Sequence, residues 1–143
     1  MVMNNTVTDK IMDWLVAFED CVHKKDFEKG KALFASDCYC FGSVADHVPD
    51  INTLAKNQWM KVWPNIKNFK FNPKQGRIEI SRDQSFACVT CPWTSTGIRP
   101  DGSTYRRPGR VTILLVKNIK SKKWLAHHTH YSLNPQSAKG DAS

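Results

Sequence analysis

His128, His130 and Ser132 have the types and the i, i+2 spacing to do chemistry together. They sit in the run Lys123-Trp124-Leu125-Ala126-His127-His128-Thr129-His130-Tyr131-Ser132, which is aromatic, β-tolerant and predicts a short strand. Side chains alternate faces along a strand, so Trp124, Ala126, His128, His130 and Ser132 are expected on one face, about 7 Å apart at each step. An imidazole has a reference pKa of about 6.5 and can take or give a proton near neutrality. His128 or His130 facing a cavity could therefore polarise or deprotonate a ligand. The plainer alternative is a set of hydrogen-bonded structural histidines, or histidines in a dimer interface. Arg110 opens the preceding apolar, β-branched run, Gly109-Arg110-Val111-Thr112-Ile113-Leu114-Leu115-Val116-Lys117. If the two runs pair as antiparallel neighbours, Arg110 falls beside His130 and Ser132. Its guanidinium fork suits a carboxylate or a carbonyl, or it is a rim arginine in water.

Other chemistry is sparse. Asp46 and His47 are the nearest candidates for a general base, but both fall in a loop. Cys38-x-Cys40 and Cys88-x-x-Cys91 offer four thiolates, yet Cys88 and Cys91 point to opposite faces of a regular strand, which argues against zinc. A redox Cys-x-x-Cys needs a helix start, and here the second cysteine precedes Pro92 in mid-strand. There is no Ser/His/Asp nucleophile motif, phosphate loop or dinucleotide glycine pattern, so no cofactor is expected.

These residues need a scaffold. Thr8 is a candidate cap for a helix through Val22, with Ile11, Trp14, Leu15, Phe18 and Val22 forming an apolar stripe. Asp26 caps a second, shorter helix carrying Phe27, Leu33 and Phe34. Cys38-Tyr39-Cys40-Phe41 reads as a short strand ending at Gly42, followed by a loop over 43–52. Asn52 or Thr53 caps a third helix with Leu54, Ala55, Trp59, Val62 and Trp63, stopped at Pro64. From Ile66 the period changes to 2. Strand runs follow around Phe69 and Phe71, over Arg77–Ser81, and over Phe86–Thr94, where Ala87, Val89, Cys91 and Trp93 share a face. Asp101-Gly102 marks a hairpin turn before Tyr105–Lys117 and Trp124–Ser132. Helices first and an antiparallel meander after predict an α+β fold with helices packed on one face of a curved sheet. Residues 1–7 and 136–143 read as flexible termini around a single domain over 8–135.

The order of elements and the final hairpin resemble a known group. Arg110-Val111-Thr112, a strand, a turn, then Trp124 followed by His128-x-His130-x-Ser132 is similar to the C-terminal signature of SnoaL-like proteins. These belong to the nuclear transport factor 2-like, or ketosteroid isomerase-like, superfamily. Phe41-Gly42-Ser43 and Asp83-x-x-Phe86-Ala87 resemble further family positions. The association domain of calcium/calmodulin-dependent protein kinase ends in a similar run. Two departures stand out: Asp50-Ile51-Asn52 replaces a glycine that many relatives carry before the third helix, and the last hairpin loop is a residue or two longer. The resemblance implies a cone: three N-terminal helices wrapped by a curved antiparallel sheet around an internal pocket. Trp14, Tyr39, Trp59, Trp63, Trp93, Arg110, His128 and His130 are the candidate ligand-binding residues, with core packing the default for each tryptophan.

Composition limits the function further. The 143 residues suffice for one core, and 41% hydrophobic with 24% charged content is ordinary for a globular chain. No apolar run approaches the roughly 20 residues that span a bilayer. The N-terminus lacks a signal-peptide layout, and five cysteines are an odd number, so reduced thiols and a cytoplasmic location are expected. The net charge of +8 is spread over turns: Lys117, Lys120, Lys122 and Lys123 in one, Arg99, Arg106, Arg107 and Arg110 around another. No nucleic-acid motif accompanies it, so these arginines and lysines read as solvated, with neither nucleic acid nor membrane as partner. Two functions remain. One is a small-molecule binder, for an acidic or carbonyl-containing ligand, in the manner of an isomerase, dehydratase or cyclase working by acid–base chemistry. The other is a non-enzymatic association module. Both are expected to form homodimers, because strands apolar on both parities leave a second sheet face to cover.

Overall fold

The structure is a computed structural model that describes residues 6–135. The expected flexible termini lie outside that range except for Thr6 and Val7, and both belong to the first helix. Helix α1 spans Val7–Lys24 and is capped by Thr6, whose hydroxyl accepts from the Asp9 amide, two residues earlier than expected. Its apolar stripe is the expected one, and Ile11, Trp14, Leu15, Phe18 and Val22 are all buried. Lys25, in the left-handed region, ends it. Asp26 caps α2, Phe27–Lys31.

The third helical segment differs from a plain helix. It starts at Ile51, because the Asp50 carboxylate accepts from the Thr53 amide and so caps it in place of Asn52 or Thr53. It then passes through four consecutive pieces: α3 (Ile51–Leu54), a π turn (Ala55–Trp59), α4 (Met60–Val62) and a 3-10 turn (Trp63–Asn65) containing Pro64. Trp59 and Trp63 stack at 4.7 Å along this segment. Among the described residues no helix is long and apolar enough to cross a membrane.

Five antiparallel strands follow: β1 (Ile66–Phe71), β2 (Arg77–Ile80), β3 (Phe86–Ile98), β4 (Thr104–Lys117) and β5 (Trp124–Leu133). The order is β1-β3-β4-β5, with β2 also paired to β3. Gly102, at φ +88°, makes the tight turn expected of Asp101-Gly102. Odd-numbered residues of β3 and β4 face the helices, and Ala87, Val89, Cys91 and Trp93 meet Leu115, Ile113, Val111 and Gly109 across the ladder. Residues 38–41 form no full strand, and of them only Cys40 and Phe41 make isolated bridges. The Tyr39 and Phe41 amides donate to the His127 and Thr129 carbonyls, so the segment runs parallel to β5 and covers its edge. The result is the expected α+β cone, with the helices inside the curve of the sheet.

A bulge in β5 decides what enters that cone. Leu114 pairs with His128 and Leu115 with Ala126, so His127 is an extra residue with no partner on β4. A bulge of one residue reverses the parity of everything beyond it. Trp124 and Ala126 point inward, but so do Thr129 and Tyr131. His128, His130 and Ser132 point outward. The expectation that all five even-numbered residues share a face is therefore corrected.

Candidate functional site

Inside the cone lies a cavity of about 40 Å³. Its walls are mostly aromatic and aliphatic: Phe18 and Val22 from α1, Trp59, Val62 and Trp63 from the third helical segment, and Ile66, Phe69 and Trp93 from the sheet. The polar contributors are Ser43, Gln58, Arg107 and Tyr131.

Arg107 is the unusual one. It was expected among the solvated arginines of a turn, but it is only 9% exposed. Its parity explains this: Arg107 is in phase with Val111 and Ile113, which face the core. It pairs directly with Ser95 across β3 and β4, and Nη1 donates to the Ser95 hydroxyl at 2.9 Å. The guanidinium lies 5.4 Å from the centre of the Trp93 ring, a cation–π contact. Among the described residues no carboxylate comes within ion-pair reach of it. Burial pushes its pKa down from the ordinary arginine value, while Tyr105 beside it acts in the opposite sense.

Two more buried donors belong to residues that line the cavity. The Tyr131 hydroxyl and the Trp93 indole Nε1–H are buried and have no hydrogen-bond partner among the described residues. Their rings are 6.1 Å apart. Burial pushes the Tyr131 phenol well above its usual range, so it stays protonated at neutral pH. Buried polar atoms are nearly always satisfied, and an orphan pair at one cavity calls for a water or a ligand.

Gln58 closes one side. Its side-chain oxygen accepts from the Val44 and Ala45 amides at 2.9 and 2.8 Å, and its nitrogen donates to the Ser43 hydroxyl at 2.9 Å. A Cβ on Gly42 would stand 2.3 Å from that oxygen, so this loop packs directly on the helical segment. Gln58→Leu should leave the buried Ala45 amide without an acceptor, at about 1–3 kcal/mol. Amide exchange at Val44 and Ala45 should rise sharply while the β3–β4 ladder stays protected; unchanged exchange at both would show that the latch is not formed.

Of the residues singled out from sequence, Trp59, Trp63 and Trp93 line the cavity. Trp14 is buried one turn before Phe18 on the same face of α1 but outside the cavity lining, and its Nε1 donates to the Leu33 carbonyl. Tyr39 is half-exposed and stacks on His47. His128 and His130 flank the Phe41 ring on the outer face, each at 5.2 Å, and His128 Nδ1 bonds the Tyr39 carbonyl. Arg110 does lie beside Ser132 as expected, with Nε donating to its hydroxyl at 2.8 Å, but the pair is on the outer face. The outer face thus holds the histidines and Arg110, and the cavity holds Arg107 and Tyr131 instead.

Solved structures share this architecture. A nuclear transport factor 2-like superfamily protein from Salmonella enterica serovar Typhimurium superposes with a TM-score of 0.76 at 20% identity, covering 94% of this chain and 96% of its own. A ketosteroid isomerase-like protein from Erwinia carotovora atroseptica gives 0.75 at 14% identity, over 93% of this chain and all of the other. The association domain of C. elegans CaMKII gives 0.68 at 19% identity, over 87% and 94%. At these identities the likeness establishes the fold, and a fold by itself does not fix a function. No curated protein matches the sequence. The sequence does match the SnoaL-like domain over residues 11–135, a span that takes in every residue lining the cavity, and by that match the chain belongs to the SnoaL-like domain family.

Proposed function

We propose that this chain binds a small, oxygen-bearing organic molecule inside the cone. The observation that carries the reading is the pair of orphan donors, Tyr131 Oη and Trp93 Nε1, buried on residues that line one aromatic-walled cavity together with Arg107. The guanidinium and the indole can only donate, and the protonated phenol has a free O–H to give, so an acceptor is the complement. An isomerase, dehydratase or cyclase also needs a base. Among the described residues the lining contains neither carboxylate nor imidazole. The cavity therefore supports binding and polarisation of an oxygen rather than proton abstraction by the protein. Fluorescence of Trp59, Trp63 and Trp93 tests this during titration with small acids, ketones and amides. A saturable change is expected, and it should vanish in Val62→Phe, which fills the cavity. An identical response from that variant would place binding elsewhere.

A second reading, self-association through the outer sheet face, has its own observation. That face carries half-buried Cys88, Leu114, Val116 and Leu125, beside the more exposed Phe86. An antiparallel sheet covered by helices on one side leaves such a face for a second copy. Sedimentation should give a species of twice 16.3 kDa at micromolar concentration. Leu114→Arg should shift it to monomer without loss of cavity binding; a wild-type monomer would end the dimer reading. The five free cysteines, four of them buried, fit a reducing compartment, so we place the protein in the cytoplasm.

A further inference from the structure

We propose that the cavity takes a small monocarboxylate, seated on Arg107 with Tyr131 and Trp93 completing the set of donors around it. The inference rests on the reading that the cone binds a small molecule, and it names the chemical class.

Charge comes first. A buried guanidinium is stable only when a counter-charge or a full set of acceptors surrounds it. Arg107 has the Ser95 hydroxyl, the Trp93 ring and the neutral Tyr105 phenol beside it, and among the described residues no carboxylate within ion-pair reach. Among the described residues Arg107 is also the one cationic side chain in the lining. A single uncompensated positive charge matches a monoanion; a phosphate dianion or a dicarboxylate would bring more charge than the site can neutralise.

Hydrogen bonding points the same way. The guanidinium fork presents parallel N–H groups to the two oxygens of a carboxylate, and the indole N–H and the phenolic O–H add two more donors. A carboxylate has about four acceptor positions, enough for all of them, whereas an isolated ketone or amide oxygen has two. Arginine on an aromatic face is also held flat, which fixes the fork before the ligand arrives.

Size sets the limit. A water needs roughly 10–15 Å³ of such space, so a cavity of about 40 Å³ holds about three waters or a ligand on the order of four or five non-hydrogen atoms. The apolar walls, including Trp59, Trp63 and Phe69, suit a short alkyl end. Acetate and propionate fit this description.

The test uses isosteric pairs on the full chain: sodium acetate against acetamide, and propionate against propionamide, at constant ionic strength. The readout is the Trp93 indole N–H resonance, assigned by its loss in Trp93→Phe. Saturable shifts are expected with the acids, at least tenfold weaker with the amides. Arg107→Met should reduce acid binding at least tenfold while thermal stability holds or rises, because the unpaired charge is gone. Tyr131→Phe removes only a hydroxyl and should weaken acid binding several-fold, which keeps the test decisive if Arg107→Met does not fold. Equal affinity for acid and amide, or undiminished acid binding in Arg107→Met or Tyr131→Phe, overturns the carboxylate assignment and leaves the small-molecule reading standing. No shift with either series removes both.

Discussion

Phe18→Ala is expected to lower stability by about 3–5 kcal/mol, the range for deleting a buried aromatic ring. Phe18 is 1% exposed and lies at the centre of the aromatic core. Its ring centroid is 5.5 Å from Trp14, 5.6 Å from Trp59, 5.7 Å from Trp63 and 5.8 Å from Phe34. Phe69 and Phe71 of β1 lie at 6.3 and 6.2 Å. The upper part of the range is the better guess for two reasons. The surrounding rings come from α1 itself, the segment after α2, the third helical segment and the sheet, so no single movement refills the hole. Phe18 also borders the existing cavity, so the new void joins it instead of collapsing. Domains have about 5–15 kcal/mol in all, and the variant should lose a large part of that. Urea denaturation followed by tryptophan fluorescence measures the loss. The enlarged cavity should also admit ligands bigger than the wild type accepts, benzoate for instance. A cost near 1 kcal/mol would show that the cone closes over the gap and that its walls are less rigid than the packing implies.

The fold was legible because periodicity and burial agree along most of the chain. The α1 stripe, the change of period at Ile66 and the Asp101-Gly102 turn each follow from local chemistry that no tertiary contact overrides. The site was less legible because it depends on parity, and two ambiguities hid the parity. On β4, Leu114 and Val116 are as apolar as Ile113 and Leu115, so hydrophobicity alone does not say which set faces the helices. Choosing the odd set would have put Arg107 inside and Arg110 outside. On β5 the bulge at His127 leaves no composition mark, since neither glycine nor proline announces it. It follows from the segment at residues 38–41, whose amides bond the His127 and Thr129 carbonyls, and that pairing is non-local. The aromatic walls were found for a simpler reason: Trp59 and Trp63 are four residues apart on one helical face and must meet the sheet together.

Gly109→Ala is expected to disturb stability and the cavity together. Glycine is required at this position by contact, with no unusual φ involved. A Cβ there would stand 2.3 Å from the Ser132 carbonyl oxygen and 2.3 and 2.4 Å from Cζ2 and Cε2 of Trp93. The carbonyl belongs to the β4–β5 ladder, where Gly109 pairs with Leu133, so it cannot retreat without opening the end of that ladder. The indole can retreat only by leaving the floor it forms beside Arg107. Overpacking of this kind costs about 1–3 kcal/mol, and collision with backbone places it at the upper end. The near-ultraviolet dichroism of Trp93 should change, and the Trp93 N–H should lose its response to acetate. Gly102→Ala is the control. Gly102 sits at φ +88°, where a side chain is strained, but nothing lies within 4 Å of its would-be Cβ. That variant should cost about 1 kcal/mol by backbone strain and leave the cavity untouched. If the two variants proved equally mild, with acetate binding intact in both, the close seating of Trp93 on Gly109 would be refuted, and with it the pre-set position of the indole donor.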